Sequence, residues 1–525
     1  MTDKKPKEHK ILKRVLIAIG VAMLILIVAG VGAFLYFRSM FSGPTVEIGE
    51  ATDDAVVQTD AGPIRGYVTD GIYTYHGSPY AEAKERFMPA EPVEPWTEVR
   101  DMTEYGNMSY QAAIQGGAAL GNDNGDNNCQ NLNLWTPGLG DGGKRPILVW
   151  LHGGGFSSGS ANDAQYDGTE LSKYGDVVVV GVNHRLNVYG HLDLSAYDEK
   201  YQYSANVGVM DIVMALQWLQ RNAEAFGGDP DNITVFGQSG GGAKVLSLMT
   251  SPYAKGTFSK GIVQSGATET LGVEFTSQEA STALTKHLLE NLGISENEID
   301  KLQTVSNQDL QRAATAALQT TADEFQIPAQ LGSGYTMEWE PVVDGDYIPS
   351  APVLDSGFAD AGFDVPLLIG SNLNEWSFMG GSGQVTEEVK SAYMEAYPNE
   401  DPDGAGSVDT LLRLPLLKIM SHKADQGGAP VYAYLFTVQT PPMGAFHGSE
   451  IPFIFRHGND NGINDLMSSI WVSFARDGVP AAEGLETWEP YDREGKATMI
   501  LDHDSYLARG HDEKLLELLA PGYEY

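Results

Sequence analysis

The sequence predicts an α/β fold with a mostly parallel central sheet flanked by helices, and helical insertions forming a cap. Three observations carry this. Uninterrupted apolar runs occur at residues 146–151, 177–182, 233–236, 366–369 and 431–436, the pattern of strands buried on both faces. Helical patterns lie between several of them, and strand alternating with helix implies a parallel sheet. Two glycine clusters directly follow apolar runs, at the strand ends where such sheets carry their active groups.

The chain begins with a separate object. Lys4, Lys5, Lys7, Lys10, Lys13 and Arg14 precede an uncharged stretch at residues 15–37, which Arg38 closes. Twenty-three residues at about 1.5 Å each reach roughly 34 Å, enough to cross a hydrocarbon core of about 30 Å. Residues 1–14 therefore read as a basic cytoplasmic tail, 15–37 as a transmembrane helix acting as signal anchor, 38–60 as a linker and 61–525 as the main domain. A cleavable signal peptide is the competing reading. It needs a shorter apolar region and a small-residue cleavage site, neither obvious before Met40-Phe41-Ser42-Gly43. Positive charge ahead of the span keeps the N-terminus in the cytoplasm and puts the domain outside the cell membrane.

Across residues 61–520 no Pro/Ser-rich linker, repeat or low-complexity block interrupts the chain. One large domain is expected, although about 150 residues per domain is the usual prior. The net charge is −37; residues 1–38 carry +5, which leaves −42 on the rest. Such a surface repels phosphates and anionic headgroups, which excludes nucleic acid as a partner. Cys129 is the single cysteine, so no intramolecular disulfide forms and a small buried apolar role is expected. No Cys/His cluster has zinc-site spacing. Gly121-Asn122-Asp123-Asn124-Gly125-Asp126 lacks EF-hand spacing and reads as solvated turns. No metal or organic cofactor is expected.

Within the domain, the run at 146–151 leads into His152-Gly153-Gly154-Gly155-Phe156. Backbone N–H groups of residues without side chains can closely approach a developing oxyanion. Residues 207–219 place apolar side chains on one broad helical face, and Gly227-Gly228-Asp229-Pro230 stops that helix ahead of the next strand. That strand runs into Gly237-Gln238-Ser239-Gly240-Gly241. Gly-x-Ser-x-Gly between strand and helix is a nucleophile elbow, a turn so tight that its glycine positions reject a Cβ. Residues 277–329 are Ala/Leu/Gln-rich and helical without clear strands; a cap over the pocket and a plain packing insertion both fit.

These residues resemble the type-B carboxylesterases of the α/β-hydrolase fold, a family that includes cholinesterases and the non-catalytic neuroligins. The resemblance covers nearly all of residues 61–520. It includes Gly62-Pro63-Ile64-Arg65-Gly66, Gly77-Ser78-Pro79-Tyr80-Ala81, Asn131-Leu132-Asn133-Leu134-Trp135-Thr136-Pro137 and Val182-Asn183-His184-Arg185-Leu186. Most specific is the run from Ala215-Leu216-Gln217-Trp218 through Ala225-Phe226-Gly227-Gly228-Asp229-Pro230.

The resemblance implies the remaining site residues. His447, in Gly444-Ala445-Phe446-His447-Gly448, matches the family's histidine loop, and Glu375, after Gly370-Ser371-Asn372-Leu373-Asn374, matches the segment that supplies the acid. A serine ester hydrolase with nucleophile Ser239, base His447 and acid Glu375 is then expected, with Gly154, Gly155 and Gly240 as the oxyanion hole. Its substrate would be a small-molecule ester. Two other readings stay open: a neuroligin-like binding ectodomain, and an amidase using the same residues.

The chain departs from the family pattern at several positions. Gln238 stands in place of the usual glutamate before the serine, and Gly240 in place of alanine. Asn127 and Asn128 replace an acidic pair, which leaves Arg86 without its usual carboxylate partner. Asn374 and Trp376 flank Glu375 where an acid and a glycine are commoner. The loop at 111–128 holds no tryptophan, which argues against a choline esterase.

Overall fold

A computed structural model of the protein describes residues 43–111, 125–377 and 385–525. The basic tail and the apolar run at 15–37 lie outside the described residues, as do residues 121–124 of the Asp/Asn/Gly cluster. Among the described residues no helix is long and apolar enough to cross a membrane.

The body of the molecule is one twisted sheet. Its strands, in chain order, are β1 (Tyr67–Thr69), β2 (Ile72–Pro79), β3 (Asn131–Thr136), β4 (Arg145–Leu151), β5 (Val178–Val182), β6 (Gly228–Gln238), β7 (Lys260–Gln264), β8 (Leu367–Asn372), β9 (Val431–Phe436), β10 (Ala497–Leu501) and β11 (Tyr506–Arg509). Across the sheet they run β11-β10-β9-β8-β7-β6-β4-β5-β3-β2-β1. The pairings from β10 to β5 are parallel, and β3, β2, β1 and β11 join antiparallel at the edges.

All five apolar runs become central strands whose residues are nearly all buried, because helices cover both faces. The outermost strands are not evident from sequence: β1 has three residues and β11 four, too few for a periodic pattern. A strand at Val56–Gln58 pairs antiparallel with Pro63–Arg65, inside the stretch read as linker.

The helices used below are α1 (Val207–Asn222), α2 (Gly240–Thr250), α3 (Gln278–Leu292), α4 (Asn307–Phe325), α5 (Arg413–Asp425) and α6 (Asn461–Asp477). The helical stretch of α1 continues as a 3-10 turn at Ala223–Phe226 and is stopped, as expected, at Gly227, which caps it in a left-handed conformation (φ +69°); β6 starts at Gly228. Gly228 pairs with Arg145 and pairing resumes at Ile233, so the polar residues between sit in a bulge, which interrupts pairing without ending a strand.

The insertion at 277–329 forms α3 and α4, joined by a 3-10 segment. Leu284, Leu288, Leu310, Ala314 and Ala317 pack on Phe156, Val188, Tyr189 and Leu192 as a core of their own. A wholly buried ion pair ties α1 to the strand-end segment after β5. Arg185 Nη2 lies 2.7 Å from Asp211 Oδ1, with both side chains at zero exposure, and the Arg185 backbone N–H also donates to Asp211.

In sheet order β4 lies between β5 and β6, so the chain leaves β4 to one side and returns on the other. The crevice at such a reversal is where open α/β sheets bind ligands. Both glycine clusters flank it.

Candidate active site

The glycine side is built from backbone. β4 runs parallel to β6 in a register that pairs Leu151 with Gly237, so the two loops emerge side by side. At the elbow, a Cβ on Gly241 would lie 2.0 Å from the Leu151 carbonyl oxygen, and one on Gly237 would lie 2.5 Å from the Gly241 carbonyl carbon. Only glycine fits a chain crossing this closely. Ser239 pays the remaining cost with a φ of +58°, a conformation that non-glycine residues hold only when their surroundings impose it. Its N–H is anchored 2.8 Å from the Gln264 carbonyl oxygen, and its side chain stays half-buried at the foot of α2.

In the upstream loop Gly154 (φ +90°) and Gly155 (φ +61°) take left-handed conformations. Gly155 packs so tightly on Gly240 that a Cβ on the latter would lie 2.4 Å from Gly155 Cα. Gly155 and Gly240 thus meet beside Ser239, with Gly154 next in the same loop, packed on Ser158. Beneath the loop, Lys244 on α2 is wholly buried and donates from Nζ to the His152 carbonyl oxygen at 2.8 Å. Burial drives the Lys244 pKa well down, toward a neutral amine.

On the other side of β6, the loops after β8 and β9 hold Glu375 and His447. They are zipped together: Asn374 N–H donates to Ala445 O (3.0 Å) and His447 N–H to Glu375 O (2.8 Å). His447 Nδ1 lies 2.6 Å from Glu375 Oε2, and the Glu375 side chain is at zero exposure. Its other oxygen accepts from Ser265 Oγ (2.6 Å) and from the Asn372 N–H (2.7 Å). Trp376 stacks on the imidazole with centroids 4.3 Å apart and planes 25° from parallel.

Two further carboxylates lie behind this pair. Glu450 is buried and receives Asn372 Nδ2 (2.7 Å) and Gln264 Nε2 (3.0 Å); burial and the Glu375 charge raise its pKa. Asp409 is raised to about 7, by burial first and the Glu375 charge second. For His447, burial alone would lower the pKa. The Glu375 charge and hydrogen bond outweigh it, Glu450 and Asp409 add to them, and the net direction is upward.

All six residues named from the sequence therefore converge on the crevice. One contact of the implied arrangement is not made: His447 Nε2 faces Gln238 Nε2 at 3.1 Å, and no hydrogen bond joins it to the Ser239 hydroxyl among the described residues. Sequence reasoning missed Ser265, Asn372, Asp409, Glu450 and buried Lys244. No local motif flags Ser265, Asn372, Asp409 or Glu450; a lysine at the fifth position of the glycine-rich start of α2 was the one usable signal.

Among the described residues Arg86 has no carboxylate partner: it donates to the Leu302 and Val305 carbonyls and to Asn307 Oδ1. Cys129 is buried and unpaired. Beside Gly155 a cavity of about 380 Å³ is lined by Phe275, Met337, Leu331 and Glu338 among others. Glu338 Oε2 stands 3.6 Å from where a Gly155 Cβ would lie. Among the described residues no group of His, Cys, Asp and Glu has the arrangement of a metal site. A half-buried serine at the elbow, an imidazole held by a buried carboxylate and clustered glycine N–H groups are the parts that nucleophilic acyl transfer requires.

Comparison with known proteins agrees. A model of the carboxylesterase family matches residues 53–402 and 384–516. The para-nitrobenzyl esterase of Bacillus subtilis is 32% identical over 89% of this chain and 98% of its own length. Human cocaine esterase is 29% identical over 81% of this chain and 82% of its own length. Among solved structures, an esterase of Clostridium hathewayi that hydrolyses aliphatic aromatic polyesters superposes with a TM-score of 0.80, at 34% identity, covering 90% of this chain and 99% of its own. A carboxylesterase of Geobacillus stearothermophilus gives 0.71 at 32% identity, with 88% and 99% covered. With the family model and these relatives spanning the same stretch that forms the sheet and its loops, the chain belongs to the carboxylesterase family and has the α/β-hydrolase fold.

Proposed function

We propose that the protein hydrolyses small carboxylic esters through an acyl-enzyme on Ser239, with His447 as base, Glu375 as the acid that orients it, and Gly154, Gly155 and Gly240 as oxyanion donors. The observation that carries this is the 2.6 Å contact from His447 Nδ1 to a wholly buried Glu375, next to a serine forced into a positive φ. The carboxylate fixes the tautomer that leaves Nε2 free to accept a proton.

In the first half-reaction Ser239 Oγ attacks the ester carbonyl carbon as its proton passes to His447 Nε2. The carbonyl oxygen becomes an oxyanion held by the glycine N–H groups. Collapse breaks the bond to the alcohol oxygen, which takes the proton from Nε2 and leaves. Water then repeats the sequence at the acyl-enzyme and releases the carboxylic acid. The cavity beside Gly155, with Phe275, Met337 and Leu331 as apolar lining, offers space for one arm of the substrate.

The similarity to a para-nitrobenzyl esterase and a cocaine esterase, and to a phenmedipham hydrolase, supports an ester-hydrolysing role. The test is hydrolysis of short- and medium-chain nitrophenyl esters by the purified protein beside Ser239→Ala, with fluorophosphonate labelling as second readout. Turnover and labelling in the wild type alone are expected. Neither in a folded wild type would leave a binding ectodomain.

We further propose that residues 15–37 anchor the protein in the cell membrane with its domain outside. The support is the uncharged run following six basic residues. Full-length protein in the membrane fraction is expected; a shortened product released from it would sink the idea.

A further inference from the structure

The imidazole nitrogen that has to take the serine proton is engaged elsewhere. Gln238, the last residue of β6, is 6% exposed and places its Nε2 3.1 Å from His447 Nε2. The ring has little freedom to escape: Glu375 holds Nδ1, and Trp376 lies against its face. With the Nδ1 proton donated to Glu375, Nε2 of a neutral imidazole is an acceptor, so the Gln238 amide must donate. Once Nε2 carries a proton, two N–H groups face each other and that hydrogen bond is gone. A bond made only to the uncharged form favours that form.

The proposed mechanism gives this contact its meaning, and the inference rests on that reading. We propose that Gln238 is a positioning residue for the base: it competes with Ser239 for His447 Nε2 and bonds the ring only while the ring is neutral. Substrate binding then has to exchange one donor for the other, swinging Nε2 from the amide to the serine hydroxyl. The charged groups facing the ring are all acidic: Glu375 from the loop after β8, Glu450 beyond the histidine loop, and Asp409 ahead of α5. Each favours the imidazolium. Gln238 opposes them, and a carboxylate at its position would join them instead.

The experiment is the pH profile of kcat/KM for a nitrophenyl ester, measured on the wild type, Gln238→Leu and Gln238→Glu. Loss of the amide donor should move the acid limb up by about half to one pH unit in Gln238→Leu, and a carboxylate should move it further in Gln238→Glu. A residue serving structure alone would lower kcat and leave the limb in place, so an unmoved limb in both active variants overturns the proposal.

A measurement on the wild type guards against variants that do not fold. In protein labelled with 15N-histidine, the His447 signal, identified by its loss in His447→Gln, should report Nδ1 protonated and Nε2 a hydrogen-bonded acceptor at a pH above the acid limb. A Nε2 that is protonated there, or free of any hydrogen bond, overturns the proposal as well. Failure of the wild type to hydrolyse any ester would sink the enzymatic reading itself, which is a different result from an active enzyme whose acid limb ignores Gln238.

Discussion

The loops on the β4 side of Ser239 and those on its β8–β9 side perform complementary tasks with different materials. Toward β4, the proposed oxyanion donors are backbone N–H groups fixed by close glycine contacts that tolerate no Cβ at Gly237, Gly240 or Gly241. Toward β8 and β9, backbone bonds zip the two loops together and side-chain hydrogen bonds fix the ring, with Ser265 and the Asn372 N–H holding the Glu375 carboxylate behind one imidazole. The first side is rigid because atoms fill it. The second is polarised because buried carboxylates surround it, and its one adjustable contact is Gln238. Steric closure suits a site whose donors must not reorganise when charge develops. A base that gains and loses a proton needs partners that tell its two states apart.

The largest test removes what the two sides share. Ser239→Ala should lower kcat/KM by at least about 10⁴-fold with no loss of fold, since the hydroxyl makes no hydrogen bond among the described residues. Circular dichroism and nitrophenyl ester turnover check this. Ser239→Gly should be equally inactive yet more stable by about 1 kcal/mol, because glycine relieves the φ of +58°; a lower melting temperature would contradict it.

On the polarised side, Glu375→Gln should cost about 10³–10⁴-fold in kcat with KM little changed, because the amide no longer enforces the tautomer. Its pH signature is as informative. His447 must be neutral to accept a proton, and its pKa lies above the ordinary 6.5. Wild-type kcat/KM should therefore fall as pH drops through a value above 6.5, and the inflection should move down in Glu375→Gln. An inflection that stays put would separate Glu375 from the base.

On the steric side, Gly240→Ala and Gly155→Ala should differ. The first drives a Cβ to 2.4 Å from the Gly155 backbone, while the second meets nothing nearer than Glu338 at 3.6 Å. Gly240→Ala should cost up to about 10²-fold in kcat as the donors shift. Gly155→Ala should mainly cost stability, about 1–2 kcal/mol for its positive φ. The reverse ranking would mean that backbone contact does not set the donors.

The smallest effect on turnover concerns Lys244, which is read through stability instead. Its folded pKa lies well below the unfolded 10.5, so between those values the unfolded chain binds the extra proton and folding stability rises with pH. Relative to Lys244→Met, the wild type should gain up to about 1.4 kcal/mol per pH unit on going from neutral toward pH 10. Urea denaturation at pH 7 and pH 9 reads the difference; a constant gap would mean that Lys244 stays charged beneath the loop.

These tests divide along the line between what the residues announce and what the fold assembles. The five central strands, the elbow and the glycine loop are legible because each is local: apolar continuity marks a strand buried on both faces, and a glycine on each side of a serine marks a turn no other residue permits. His447 and Glu375 are less so. They stand 72 residues apart, and a resemblance to known carboxylesterases picked them out where spacing could not. Lys244 reads as an ordinary helix residue until α2 packs it against the His152 carbonyl. Gln238 reads as the variable position of a motif until the histidine loop lays an imidazole on it. By itself the sequence determined where the chain turns and which hydroxyl sits at the elbow, since those follow from the sterics of a few neighbouring residues. Only the tertiary structure decided which donor occupies the base and which carboxylates surround it, because hydrogen bonds and desolvation arise between segments that meet only when the sheet is complete.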